Sequence, residues 1–245
     1  MLYLLRKKAW KPVSRYCIAI GFVLIANVAF AQIDLNLSDH DAKPYYFGIT
    51  IGINLASFHT ELHPRFLQDD SVYVAEPLNA GGFSLGLIAT ARLTDRFEGR
   101  FNPQLMFTER SLSYRLKYAD FDLGTNVTKK IESVIVTFPF QLKFNSDRIN
   151  NFRVYMLGGM KVDIDLASNA RAKRAEELVK INKFDYGIEA GIGFNFYFPS
   201  FIFSPEIKFS NGLGNIHARD ANLKYSSVID RIQSRMIIFC VHLEG

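Results

Sequence analysis

From residue 45 to the end of the chain, large apolar side chains return at every second position in eight successive runs. The first run sets Tyr45, Phe47, Ile49, Ile51, Ile53 and Leu55 against Tyr46, Gly48, Thr50, Gly52, Asn54 and Ala56. The second, near 82–93, sets Phe83, Leu85, Leu87, Ala89, Ala91 and Leu93 against Gly82, Ser84, Gly86, Ile88, Thr90 and Arg92. The third, near 96–108, carries Phe97, Phe101, Leu105 and Phe107, and the fourth, near 132–144, carries Val134, Val136, Phe138, Phe140, Leu142 and Phe144. The fifth, near 152–165, alternates Met156, Met160 and Val162 with Tyr155, Gly159, Lys161, Asp163 and Asp165. The sixth is the most regular, with Phe184 through Phe198 facing Asp185, Gly187, Glu189, Gly191, Gly193, Asn195 and Tyr197. The seventh begins at Phe201, and the eighth, near 232–243, pairs Ile237, Phe239, Val241 and Leu243 with a mixed row of Met236, Ile238, Cys240 and His242. A period of two is the mark of a strand with two unlike faces.

Size decides which face points outward. The interior of an eight-stranded barrel is only just wide enough for side chains. Eight rows of Phe, Ile and Leu do not fit inside it, whereas Gly, Ser, Thr and paired charges do. The apolar row therefore faces lipid, and the predicted fold is all-β: an eight-stranded antiparallel up-and-down transmembrane β-barrel. Short connections around Thr94-Asp95, Asn145 to Asn151 and Pro199-Ser200 alternate with connections of roughly 17–25 residues, as outer-membrane barrels do. Pro103, Pro139 and Pro205 fall inside strands and each removes a ladder donor, which bulges are expected to absorb.

The inward row carries Arg92, Arg100, Lys143, Arg153, Lys161 and Lys208 against Glu98, Asp163, Asp185, Glu189 and Glu206. In a narrow lumen these should pair, because an unpaired buried charge is costly. The expectation is an interior ion-pair plug.

The start of the chain changes the charge picture. Residues 1–15 hold Arg6, Lys7, Lys8, Lys11 and Arg15, the run from Cys17 to Phe30 has no charge, and Ala29-Phe30-Ala31 offers a cleavage site. This is the pattern of a cleaved signal peptide over 1–31. A periplasmic N-terminal tail over 32–43 and a barrel domain over 44–245 follow. Five of the 29 basic residues and none of the 24 acidic ones precede residue 32, so the remainder carries 24 of each. Nothing then argues for a nucleic-acid partner. With Cys240 alone after residue 31, no internal disulfide is available.

Catalytic patterns are sparse. His59-Thr60-Glu61-Leu62-His63 misplaces its Glu for the zinc-helix motif. Ser38-Asp39-His40-Asp41 lies on an expected flexible tail, and triad members meet in space rather than in sequence. A Ser/His pair on adjacent outward positions, which a lipid-modifying barrel enzyme would need, is not found. No catalytic, metal-binding or cofactor-binding residue is assigned, and no cofactor is expected. Ala167 to Lys183 has helix-forming composition and carries Arg171, Lys173, Arg174 and Lys180. It reads either as a solvated turn at the rim or as a docking loop for protein or lipid phosphates.

Several stretches are similar to the PorT family of Bacteroidetes outer-membrane β-barrels. They are Tyr155 to Lys161 with Asp165 to Ala170, Phe184 to Gly187 with Gly191 to Pro199, Phe203 to Ser210, and Ser234 to Gly245. Leu166-Ala167-Ser168-Asn169 and the closing Glu244-Gly245 are the more specific parts. The resemblance implies an accessory or assembly role in the type IX protein secretion system, which exports proteins to the cell surface and supports gliding in some members. Outer-membrane lipid and other secretion-system proteins are the implied partners, and no catalytic residue is carried over. It also implies long loops on the periplasmic side, opposite to the ordinary orientation. A generic small barrel of the OmpA or OmpX kind, adhesive or envelope-stabilising, is the alternative.

Overall fold

A computed structural model describes residues 35–63, 72–120, 124–168, 180–218 and 226–245. The chain divides into two units, Met1–Leu35 and Asn36–Gly245, and the strands among the described residues lie in the second. The expected signal peptide lies outside the described residues.

The strands are β1 (Tyr45–Leu62), β2 (Val72–Leu78), β3 (Ala80–Arg92), β4 (Phe97–Phe101), β5 (Gln104–Asp120), β6 (Gly124–Asn145), β7 (Phe152–Asp165), β8 (Phe184–Tyr197), β9 (Ile202–Gly212) and β10 (Ile229–Glu244). All pairings are antiparallel, and β1 meets β10 from Gly48 opposite Glu244 to Leu62 opposite Ile229, which closes the sheet. Two staves are each broken in two. Both β2 and β3 pair with β5, on either side of Asn79. Both β4 and β5 pair with β6, on either side of Asn102-Pro103. The ring thus has eight staves built from ten strands. Closure leaves no edge in lipid, where an unsatisfied backbone group is expensive.

The prolines behave differently from the expectation. Pro103 sits in the break between β4 and β5, where its carbonyl still accepts the Leu87 N–H at 3.0 Å. Pro139 stands in an unbroken β6–β7 register with no bulge. At Pro205 the β8–β9 ladder skips Ser204-Pro205 opposite Phe194-Asn195 and resumes in the same register. A missing rung, not an inserted residue, accommodates the absent N–H.

The outward row is apolar through the middle of the barrel. Ile51 and Ile53 are 53% and 64% exposed, while Thr50 and Asn54 on the other face are each 1% exposed. Aromatic rings crowd the turn end, with Phe97–Phe144, Phe152–Phe196 and Phe198–Phe201 centroids 5.1, 5.2 and 5.1 Å apart. A second set marks the other side, with Phe83 stacked on Phe107 at 4.7 Å and Phe184, Tyr186 and Phe209 exposed. Aromatic girdles flanking an apolar belt are how a barrel meets the two membrane interfaces.

Beyond the second girdle the chemistry of the two rows reverses. On β5 the outward row passes from Leu105 and Phe107 to Glu109 and Arg115, while the inward row passes from Gln104 and Thr108 to Leu112, Tyr114 and Leu116. On β6 the outward row becomes Glu132, Lys130, Thr128 and Asn126, with Ile131 and Val127 buried. These segments, with Phe58, Val72, Ile229 and Ile232, enclose a dry cluster at the loop end. A segment that leaves lipid for water needs a polar outside and an apolar inside, as in any soluble domain. Two long loops of the sequence reading are therefore largely strand: β1 extends to Leu62, and β5 and β6 extend to Asp120 and Gly124. The lumen is also less uniformly polar than expected, since Ala56, Met106, Ile135, Met236, Ile238 and Cys240 pack together inside it.

Candidate functional site

The interior holds a network of buried charges. Arg100 on β4 reaches across the lumen to Glu206 on β9 at 2.8 Å and to Glu244 on β10 at 3.2 Å. All three side chains are wholly shielded from solvent. The Tyr155 hydroxyl donates to the same Glu206 oxygen at 2.7 Å, and the Arg100 guanidinium lies 5.3 Å from the Tyr155 ring. The Lys143 Nζ lies 4.2 Å from the centroid of the same ring and 3.4 Å from Glu98. Tyr46 donates to Glu98 at 2.9 Å. His242 lies 3.3 Å from Glu206, with its second ring nitrogen 2.9 Å from the Thr50 hydroxyl. Gly193 on β8 makes room for this group, because a Cβ there would overlap the Tyr155 phenol.

Toward the loop end the pairs continue. Glu189 accepts from Gln141 at 2.7 Å and faces Lys208 at 4.0 Å, which also lies 3.8 Å from Glu206. Lys161 bonds Asp163 at 2.5 Å. Arg110 donates to Ser133 at 2.6 Å and to Asp165 at 3.3 Å, with its guanidinium 4.7 Å from the Phe58 ring. Asp185 accepts the Tyr186 N–H at 2.8 Å.

The turn-end mouth is clasped by the segment before β1. The expected flexible tail instead contains a short 3-10 helix, Ser38–Ala42, with His40 buried. Asp41 meets three arginines: Arg148 at 3.0 Å, Arg153 at 3.3 Å and Arg92 at 4.0 Å. Arg148 also donates to the Asn36 carbonyl and lies 3.7 Å from the Tyr197 ring. Asn36 donates to Asn151 and to the Tyr197 carbonyl at 2.9 and 3.0 Å. The His40 ring packs 4.5 Å from Tyr46, and neither of its nitrogens has a hydrogen-bond partner. Burial pushes this imidazole below its ordinary value of 6.5, and the nearby Lys43 and Arg92 add to the depression.

All eleven charges expected inside lie on the inner wall, but they form two groups. Glu98, Arg100, Lys143, Lys161, Asp163, Asp185, Glu189, Glu206 and Lys208 are deeply buried. Arg92 and Arg153 belong to the mouth, where Arg92 also faces Glu98 at 3.6 Å. Arg110, Asp165 and Glu244 join the network unforeseen. Asp165 already stood in the inward row, and Arg110 is two residues beyond Thr108 in the same alternation. With them, seven cations face seven acids on the described barrel wall. Of the candidate docking loop, Arg171, Lys173 and Arg174 lie outside the described residues, and Lys180 precedes a bridge between Ile181 and His217. Among the described residues no group of His, Cys, Asp and Glu has a metal-binding arrangement.

A closed antiparallel ring with an apolar outside and an ionic inside defines a membrane-spanning β-barrel. The family model for the outer membrane protein beta-barrel domain matches residues 30–218, and the chain belongs to that family. It is an outer-membrane protein, seated in membrane lipid. No curated protein matches. Among solved structures it is similar to Neisserial surface protein A, at 12% identity over 80% of this chain and 95% of that one, with a TM-score of 0.40. It is similar also to the outer membrane protein OprG of Pseudomonas aeruginosa, at 12% identity over 80% and 94%, with a TM-score of 0.43. A third is the attachment invasion locus protein Ail of Yersinia pestis, at 12% identity over 83% and 100%, with a TM-score of 0.37.

Proposed function

We propose that the chain is a non-enzymatic, closed barrel of the small OmpA/OmpX kind, with an adhesive or envelope-stabilising role. The observation that carries this reading is the transverse link from Arg100 to Glu206 and Glu244, whose side chains fill the lumen without reaching solvent. A filled and charge-balanced lumen acts as a plug, so solutes do not pass and the working surface is the part outside the membrane. The loop end, with its own apolar core and polar exterior, supplies that surface. Sequences of the PorT type give a second reading, an accessory or assembly component of type IX secretion. It rests on Leu166-Ala167-Ser168-Asn169 and Glu244-Gly245, and its docking loop would be Arg171, Lys173, Arg174 and Lys180.

One experiment separates the two. The gene is deleted in its own host, and secreted cargo, surface attachment and detergent sensitivity are followed together. Normal export with weakened attachment or a leaky envelope supports the adhesive or stabilising barrel. Unprocessed cargo trapped in the periplasm, restored by the intact gene, supports the secretion role and overturns the first reading.

A further inference from the structure

The clasp at the turn-end mouth has more positive charge than it neutralises. Arg92, Arg148 and Arg153 converge within 4.0 Å of one carboxylate, Asp41. Among the described residues, the other acid within that range of any of the three is Glu98, at 3.6 Å from Arg92, and Glu98 is itself shared with Lys143 at 3.4 Å. Arg148 and Arg153 are mostly shielded, with side chains 6% and 11% exposed. Guanidinium groups brought together with so little water favour an oxyanion, because planar N–H forks match carboxylate and phosphate oxygens. The carboxylate supplied by the chain is imperfectly held: Asp41 Oδ1 is buried and has no hydrogen bond, although it lies 3.3 Å from Arg153.

We propose that Arg92, Arg148 and Arg153 form an oxyanion-binding site at the turn-end mouth, that Asp41 is its tethered resident ligand, and that a free phosphate or carboxylate competes with it. The arginines come from two regions of the ring, Arg92 from the end of β3, and Arg148 and Arg153 from the β6–β7 turn and the start of β7 that follows it. The site therefore exists only once the barrel has closed. Displacing Asp41 would release the Asn36–Lys43 segment, because Arg148 holds both the Asp41 carboxylate and the Asn36 carbonyl. Occupancy by an external anion and docking of this segment then become mutually exclusive.

The test uses the full mature chain in detergent micelles, with a heat-modifiable mobility shift reporting an intact barrel. Inorganic phosphate and acetate are titrated separately at matched ionic strength, and hydrogen exchange is followed across residues 36–43. For the native chain, phosphate should accelerate exchange there beyond the chloride control. Asp41→Asn should expose the segment and tighten phosphate binding at least tenfold, and Arg148→Gln with Arg153→Gln should abolish it. Acetate acting in place of phosphate would keep the site and assign it to carboxylates. If Asp41→Asn frees the segment but neither anion binds, or if binding survives loss of the two arginines, the oxyanion site is overturned.

Discussion

Arg100 and Glu206 meet across the lumen at 2.8 Å, from staves on opposite sides of the ring, with neither side chain touching solvent. The pair is a strut. Removing one member leaves an uncompensated buried charge, which costs more than the pair contributes. Arg100→Met should destabilise the folded barrel by about 3–5 kcal/mol, read by urea unfolding in lipid vesicles with circular dichroism. Arg100→Met combined with Glu206→Gln should recover part of that loss. Equal loss in the single and double variants would mean that the two residues do not act as a pair.

Gly193 is needed because of Tyr155. A methyl group at this position overlaps the phenol that bonds Glu206. Gly193→Ala should therefore cost about 1–3 kcal/mol as an overpacking effect. Gly81, whose added Cβ would meet nothing within 4 Å, is the matched control and should tolerate alanine nearly without change.

The belt has a depth profile. Arg in place of Leu87, 63% exposed at mid-belt, should cost about 2–4 kcal/mol, falling to about 0–1 kcal/mol at an interface position. Glu132→Arg, beyond the girdle, is the expected neutral case. A flat profile across Leu87 and Glu132 would place the membrane elsewhere.

The loop end should fail separately from the membrane barrel. Leu112 and Ile229 are fully buried in its cluster. Truncating either to Ala costs about 2–5 kcal/mol by the usual core penalty. Protease cuts should appear first near the loop end while the heat-modifiable mobility persists. Simultaneous collapse of both would show one cooperative unit.

Acid should loosen the turn-end clasp. His40 faces Tyr46, Asp41, Lys43, Arg92 and Glu244, and its folded pKa lies below 6.5. A depressed value means that the undocked segment binds the proton more readily. Its contribution to docking is fully present above pH 6.5 and fades as the pH falls toward the folded value. A fluorophore on a Ser38→Cys variant should report release on acidification from pH 7.5 to 5, and His40→Gln should remove that dependence.

Much of this barrel was legible in the alternation alone. Phe184 to Phe198 on β8 needed no partner to declare its faces, since a period of two fixes which residues share a side. The boundaries were less legible. The stretch from Glu109 to Lys117 has Glu109, Arg115 and Lys117 outward and Leu112, Tyr114 and Leu116 inward, the reverse of the membrane segment, so a search for apolar-out strands stops at Thr108. Of the interior site, the charges on regular strands were readable, and their partners were not. Glu244 looked like a chain terminus, and His40 and Asp41 looked like a loose tail.

The sequence by itself determined the inside-out barrel. Eight rows of large apolar side chains exceed what its lumen can hold, and volume allows no other arrangement. Only the tertiary structure decided who meets whom. Arg100 and Glu206 are 106 residues apart, and Asp41 and Arg148 are 107 apart. Such contacts depend on the register and closure of the ring, which no local pattern encodes. Closure brings distant charges into a narrow, poorly solvated space, and there each must find a counterion.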